Sequence, residues 1–261
     1  MSSAILWEIR NRVGHIVLNQ PERGNAIGSA MAQALVQAVR RAGSADIGAV
    51  LISARGKQFS VGGDVGEFLQ NRAQLPALIA QILDLLHPAM HSLATLPVPV
   101  ISAIQGPLGG GGIGLALCAD LVLAADNAFL RGGYAALGLS PDLGVSYYLA
   151  RRAGAARAKY LLMSNRPVPA QDCLRLGLFD ELHEPQALQA AAVALAEELA
   201  AGAASSMASI KHLCNAAHAQ SLQAHLAAER SAMLGCARST DCDEGITAFV
   251  EKRPPLFQGC R

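Results

Sequence analysis

Apolar residues recur along this chain with two periods, and the switches between them lay out the elements. Residues 4–10 and 13–19 are short apolar-rich runs on either side of Asn11-Arg12, the pattern of a β-hairpin. A turn follows at 21–25 (Pro-Glu-Arg-Gly-Asn), and residues 29–42 carry apolar side chains at helical spacing. Residues 49–53, Ala-Val-Leu-Ile-Ser, read as a buried strand running into a loop over 54–63, with a helix beginning near Asp64. A long helical segment, 75–96, is cut off by Pro97 and Pro99. A strand over 98–104 then feeds a run of glycines and a helix reaching Ala119. Strands are expected over 120–125 and 128–131, and a helix over 142–152. Beyond Glu184 the pattern changes to three Ala-rich helical stretches, 186–203, 205–217 and 220–237, with no returning strand signal. The expected fold is an α/β layered core over 1–185 followed by a helical region over 186–261.

Two loops in this pattern carry chemistry. The first is Gly106-Pro-Leu-Gly-Gly-Gly-Gly-Ile-Gly114, between a strand and a helix, where backbone N–H groups at a helix start can hold an oxygen anion or a phosphate. A dinucleotide fingerprint is disfavoured because no acidic residue ends a second strand about 20 residues on, and no Gly-Lys-Ser/Thr follows to make a Walker loop. The second loop, Phe59-Ser-Val-Gly-Gly-Asp-Val65, also follows a strand, has paired glycines and precedes a helix. One N–H donor from each loop can converge on a carbonyl oxygen as an oxyanion hole, suited to a thioester enolate or a tetrahedral anion. Asp64 reads as a helix N-terminal charge or cap.

Bulk properties narrow the partners. Across 261 residues the net charge is +1, which implies no basic face for nucleic acid. Hydrophobic residues make up 52% and charged ones 16%, an apolar balance that suggests surface buried between subunits. The best membrane-span candidate, 112–125, is interrupted by Asp120, and Glu8 and Arg10 break any signal-peptide pattern. The six cysteines, at 118, 173, 214, 236, 242 and 260, lack metal-ligand spacing and read as reduced thiols of a cytoplasmic protein, with Cys118 packing as a small hydrophobe.

Several segments, in order, resemble the crotonase (enoyl-CoA hydratase/isomerase) superfamily over nearly the whole chain. They are Asn19-Gln-Pro-Glu-Arg-Gly-Asn-Ala-Ile27, Phe59–Val65, Pro97–Gly106, Gly109–Asp120, Leu137-Gly-Leu-Ser-Pro-Asp142 and Phe249-Val-Glu-Lys-Arg-Pro-Pro255. The resemblance implies a ClpP-like ββα spiral with a C-terminal helical trimerisation layer, and a homotrimer or dimer of trimers. It also implies acyl-CoA substrates, with coenzyme A entering as part of the substrate and no permanently bound cofactor or metal. Carried onto this sequence, it implies backbone oxyanion donors at Gly63 and Gly111. Val61, Gly63, Asp64, Val65 and Gly66 would line the path of the CoA moiety. Arg23 and Lys252, with Arg253 as a further candidate, would approach its phosphates; solvated surface charge is the alternative for each.

The chain departs from the family's hydratases at both acid–base positions. Typical hydratases of the family use two glutamates for this acid–base work, and this chain has Gly114 and Tyr134 at the matching places. A different carboxylate, Asp142, stands where relatives that move double bonds or attack aromatic rings carry an acid. One carboxylate suffices for a 1,3-proton shift over an oxyanion hole; opening the helix at 142–152 is the structural alternative. His87 stands where dehalogenase-like relatives place a histidine, the alternative being a buried, hydrogen-bonded side chain. Tyr134 is expected to position substrate, donate a hydrogen bond or form pocket wall. Leu69, Leu78, Ile82 and Leu137 suggest an apolar acyl lining. The resulting expectation is double-bond isomerisation with Asp142 as acid/base. The alternatives are thioester hydrolysis or dehalogenase-like chemistry by Asp142 and His87, and a catalytically silent acyl-CoA-binding protein.

Overall fold

The computed structural model describes residues 3–258, which leaves Cys260 outside the described residues. Strands β1 (Ile5–Arg10) and β2 (Val13–Leu18) form the expected hairpin, turned at Asn11 and Arg12, both at positive φ. Helix α1 (Ser29–Ser44) leads to β3 (Ala49–Ala54), then to a short α2 (Val65–Gln70) and the long α3 (Leu75–Ala94). After β4 (Val100–Ile104) come β5 (Leu108–Gly109), α4 (Gly111–Leu117), β6 (Leu121–Ala125) and β7 (Phe129–Arg131). Next are α5 (Tyr134–Leu137), α6 (Val145–Ala153), α7 (Ala155–Ser164), β8 (Val168–Pro169), α8 (Ala170–Arg175) and β9 (Glu181–His183). The chain ends in α9 (Leu188–Ala200), α10 (Ala204–Ala216), α11 (Leu222–Cys236) and α12 (Thr240–Glu251).

Six strands pair in the order β1-β2-β3-β4-β6-β9, with β2 onward parallel; β5, β7 and β8 make a second, smaller sheet. Because strand side chains alternate between faces, β3 sends Val50 and Ile52 into one core and Ala49 and Leu51 into another. The first core packs against α1, α3 and α4. The second is closed by α9, through Leu188, Ala192, Ala196 and Ala200. Alanines on that helix let it lie close to the sheet, and the carbonyl of Ala200 would stand 2.3 Å from a Cβ on Gly48.

The last three helices differ in kind. Helices α10 and α11 bury no residue completely, while Leu222, Met233, Phe249 and Val250 are strongly exposed. Lys211 is the main tie of α10 to the core: its ammonium pairs with Asp120 Oδ2 at 2.8 Å and donates to the carbonyl of Val98 at 3.1 Å.

One expected boundary needs correction. The helix anticipated over 142–152 begins only at Val145. Gly144, at φ +79, is its N-cap, and no side chain caps it. Asp142 is therefore not spent on opening a helix.

Candidate active site

Strands β3 and β4 are parallel neighbours, with Val50 opposite Val100, so the loops leaving their C-terminal ends emerge side by side. The two glycine loops meet there. Leu108 bridges Ser60, and Gly109 N–H donates to the Ser60 carbonyl at 2.9 Å. Closer in, a Cβ on Gly62 (φ +90) would stand 2.8 Å from the Gly109 oxygen and 2.9 Å from the Gly110 Cα. Only glycine permits that approach.

The loop over 59–65 is pinned from behind by buried polar groups. Asn25 donates its side-chain amide to the carbonyls of Arg55 and Gln58, at 2.9 and 3.0 Å, and its own carbonyl accepts from Ser60 Oγ at 2.8 Å. Asp64 caps α2, accepting from Glu67 N–H at 3.0 Å, as expected, and pairs with Arg23. Glu67 in turn accepts from the Ser29 N–H at 3.0 Å and the Ser29 hydroxyl at 2.5 Å, fastening α2 to α1.

This pinning leaves particular backbone donors open. Gly62 N–H donates to Ser60 Oγ, Asp64 N–H to the Ile27 carbonyl, and Gly110 N–H to the Gly132 carbonyl. Among the described residues, the N–H groups of Gly63 and Gly111 have no such partner. A Cβ on Gly110 would stand 3.7 Å from Gly63 N, and Gly63 and Gly111 line the same small recess.

Asp142 faces that place. Its Oδ1 lies 3.1 Å from the position of a Cβ on Gly111, and it accepts from the Tyr134 hydroxyl at 2.5 Å. Burial pushes the Asp142 carboxyl above its ordinary value, opposed by the Tyr134 hydrogen bond and by the charge of His87. Burial also pushes the Tyr134 phenol upward, reinforced by the Asp142 charge and hydrogen bond.

A cavity of about 320 Å³ runs past these groups, walled by Val61, Gly63, Val65, Phe68, Ile79, Leu83, Tyr134, Leu137, Pro141 and Asp142 among others. A small recess of about 20 Å³ continues inward between Gly63, Gly111 and Asp142, lined otherwise by Ile27, Phe68, Ile79, Ile82, Leu83, Leu86 and Leu143. Among the described residues, Asp142 is the only ionisable carboxylate on either wall.

Other expected residues fall at varying distances from this centre. Val61 and Val65 line the cavity and remain exposed; Gly66 lies in the first turn of α2. Arg23 is half-exposed at the loop's edge, held by Asp64. Lys252 is exposed at the end of α12, while Arg253 is bound to Glu244 and Glu251. His87 corrects its structural alternative: it is exposed on α3 rather than buried, its side chain makes no hydrogen bond among the described residues, and it lines neither cavity. Its helix places it near enough to act on Asp142 only through charge. Of the expected acyl lining, Ile82 and Leu137 are present, whereas Leu69 is exposed and Leu78 packs against the core. Phe68, Ile79 and Leu83 take their place; helical spacing on α2 and α3 offered the signal.

The site has no room for a carboxylate at Gly114. A Cβ there would stand 2.2 Å from the Leu143 carbonyl oxygen.

Comparison with known proteins agrees with this geometry. A family profile described as enoyl-CoA hydratase/isomerase matches residues 8–260. The 1,2-epoxyphenylacetyl-CoA isomerase of Escherichia coli (strain K12) is 32% identical over 261 residues, covering 99% of this chain and 100% of that protein. The crystal structure of an enoyl-CoA hydratase from Polaromonas sp. JS666 superposes with a TM-score of 0.92 at 35% identity, covering 97% of this chain and 99% of that one. An enoyl-CoA hydratase from Bacillus anthracis gives a TM-score of 0.91 at 28% identity, over 98% and 100% of the two chains. With its ββα core, its C-terminal helices and its paired glycine loops, this chain belongs to the crotonase (enoyl-CoA hydratase/isomerase) family and has the crotonase fold.

Proposed function

We propose that this enzyme shifts a carbon–carbon double bond in an acyl-CoA thioester, with Asp142 as its single acid–base group. The thioester oxygen accepts hydrogen bonds from the N–H groups of Gly63 and Gly111, which stabilise negative charge as it develops. Asp142 removes a proton from the carbon flanking the double bond, giving a dienolate, and returns it to the carbon at the other end. The net change is a moved double bond, with no water and no redox partner consumed.

The observation that carries this reading is the juxtaposition of one carboxylate with one open oxyanion donor: Asp142 Oδ1 is 3.1 Å from the Cβ position of Gly111. Hydration by the two-glutamate route is disfavoured because Tyr134 occupies one position and Gly114 has no space at the other. Burial raises the Asp142 carboxyl toward the range useful for exchanging protons with carbon acids. The apolar wall of the larger cavity, with Val61, Val65, Phe68, Ile79, Leu83 and Leu137, supports an apolar acyl group. The E. coli relative named as an isomerase is consistent with this choice. Exposure of His87 gives the hydrolase or dehalogenase reading no support.

Arg23, Val61, Val65, Gly66 and Lys252 are assigned to the CoA moiety on the family resemblance. The exposed apolar side chains of α11 and α12 support a homotrimer or a dimer of trimers, in which these helices are covered.

The test is interconversion of 3-enoyl-CoA and 2-enoyl-CoA in deuterated water by wild type and Asp142→Asn. Wild type should equilibrate the pair without releasing free CoA, and the variant should bind ligand without turnover. Undiminished turnover in Asp142→Asn would sink the mechanism.

A further inference from the structure

Among the described residues Asp142 is the only carboxylate on the cavity wall, so the direction in which its two oxygens point is part of the chemistry. One of them is already taken. The Tyr134 hydroxyl donates to Oδ1 at 2.5 Å, from a side chain that is itself buried. Burial and the neighbouring carboxylate keep that phenol protonated well beyond the ordinary tyrosine range, so it remains a donor.

The backbone beneath Tyr134 is also fixed. Helix α5 starts from Gly133, at φ +82, whose N–H donates to Asn165 Oδ1 at 2.7 Å. Asn165 sits at the end of α7 in the left-handed region, φ +52, and its carbonyl accepts from Arg131 Nε at 3.1 Å. On the other side, Leu139 N–H closes back to the Tyr134 carbonyl at 3.0 Å. A chain of contacts thus runs from Asn165 through Gly133 and Tyr134 to the carboxylate.

We infer that Tyr134 is a positioning residue for Asp142: its phenol holds Oδ1, the oxygen beside Gly111, and fixes the orientation of the carboxylate at the recess. The inference rests on the reading of Asp142 as the acid–base group. It gives the residue at the second glutamate position a task toward Asp142 rather than toward water. A hydrogen bond to an ionised carboxylate favours the charged form. Tyr134 therefore also holds down a carboxyl that burial pushes up, as does the charge of His87 on α3, the other titratable group acting on Asp142.

The test measures kcat, KM and the pH dependence of kcat for 3-enoyl-CoA isomerisation in wild type, Tyr134→Phe, Asn165→Gly and Asp142→Asn. Tyr134→Phe keeps the ring and removes the donor. Its kcat should fall roughly 10- to 100-fold, the scale of a hydrogen bond to a charged group, with KM changed by less than about 3-fold. Its acid limb should move up by about one pH unit, because the carboxylate has lost a group that favoured its charge. Asn165→Gly tolerates the left-handed backbone and removes only the Oδ1 acceptor, so it should shift both quantities in the same direction by less. If Asp142→Asn is inactive while Tyr134→Phe keeps the wild-type acid limb, whatever its kcat, the positioning role is wrong and the acid–base reading stands. If Asp142→Asn turns over normally, the acid–base reading itself is wrong, and the inference with it.

Discussion

The carbonyl oxygen of Leu143 stands 2.2 Å from where a Cβ on Gly114 would lie. No backbone oxygen tolerates a carbon that close, so either α4 or the segment carrying Asp142 would have to move. Alanine gains roughly 1 kcal/mol of helix propensity over glycine, but overpacking against a backbone atom costs about 1–3 kcal/mol. Gly114→Ala should therefore lower the melting temperature by several degrees. Gly114→Glu should give no hydratase activity, measured as hydration of crotonyl-CoA.

Replacing Asp142 by Asn keeps its shape and removes its proton chemistry. Turnover should drop about 10²- to 10⁴-fold, the usual worth of a positioned acid–base group. In the proposed mechanism Asp142 must be ionised, and burial raises its pKa above the ordinary value of 3.8. Activity should therefore fall as pH is lowered through that raised value, so the acid limb sits above that of an exposed aspartate. A pH profile of kcat checks both the sign and the limb.

Lys211 is nearly buried, and its partner Asp120 is largely so. Removing the ammonium leaves a desolvated carboxylate whose other bond is the Val100 N–H, at 2.8 Å. Lys211→Ala should cost about 2–4 kcal/mol, toward the lower part of the range for a broken buried pair. Because Lys211 is the main tie of α10 to the core, limited proteolysis should then cut first around residues 201–221.

Glu244 ties the end of the chain to α12. It accepts from Arg253 Nη1 and Nη2 at 2.7 and 2.9 Å and from the Leu256 N–H at 2.7 Å, and these bonds hold its carboxyl down to about 2 from an ordinary 4.5. A depressed carboxyl contributes stability that is complete above its unfolded pKa and is lost as pH falls through its folded one. Amide protection of Arg253 and Leu256 should therefore weaken between about pH 4.5 and 2 in wild type. Glu244→Gln should be less protected at neutral pH, and its difference from wild type should vanish at the acid end. Hydrogen exchange across that pH range is the measurement.

Much of this was legible in the sequence because it lies in short segments. The strand at Ala49–Ala54, the glycine loops and the Asp64 cap are local patterns of period and residue type, and the structure contains all three. The rest depends on residues far apart in the chain. The hold of Glu67 on Ser29, the bonds of Asn25 to Arg55, Gln58 and Ser60, and the bond from Tyr134 to Asp142 are set by how distant elements pack, which no window of sequence records. Strand β9 is only three residues long and pairs with β6, too short to leave a period. Helix α6 starts late because Gly144 takes a left-handed turn that an aspartate after a proline does not announce. Leu69 and Leu78 differ from Phe68 and Ile79 by a single step around a helix, which decides solvent or cavity.

The open donors of Gly63 and Gly111 belong to the main chain. Every substitution leaves an N–H in place there except proline, so charge stabilisation can be blocked by bulk but not erased by exchanging one functional side chain for another. The Asp142 carboxylate is a side chain on a different segment, so one substitution removes it while both backbone donors stay beside the recess.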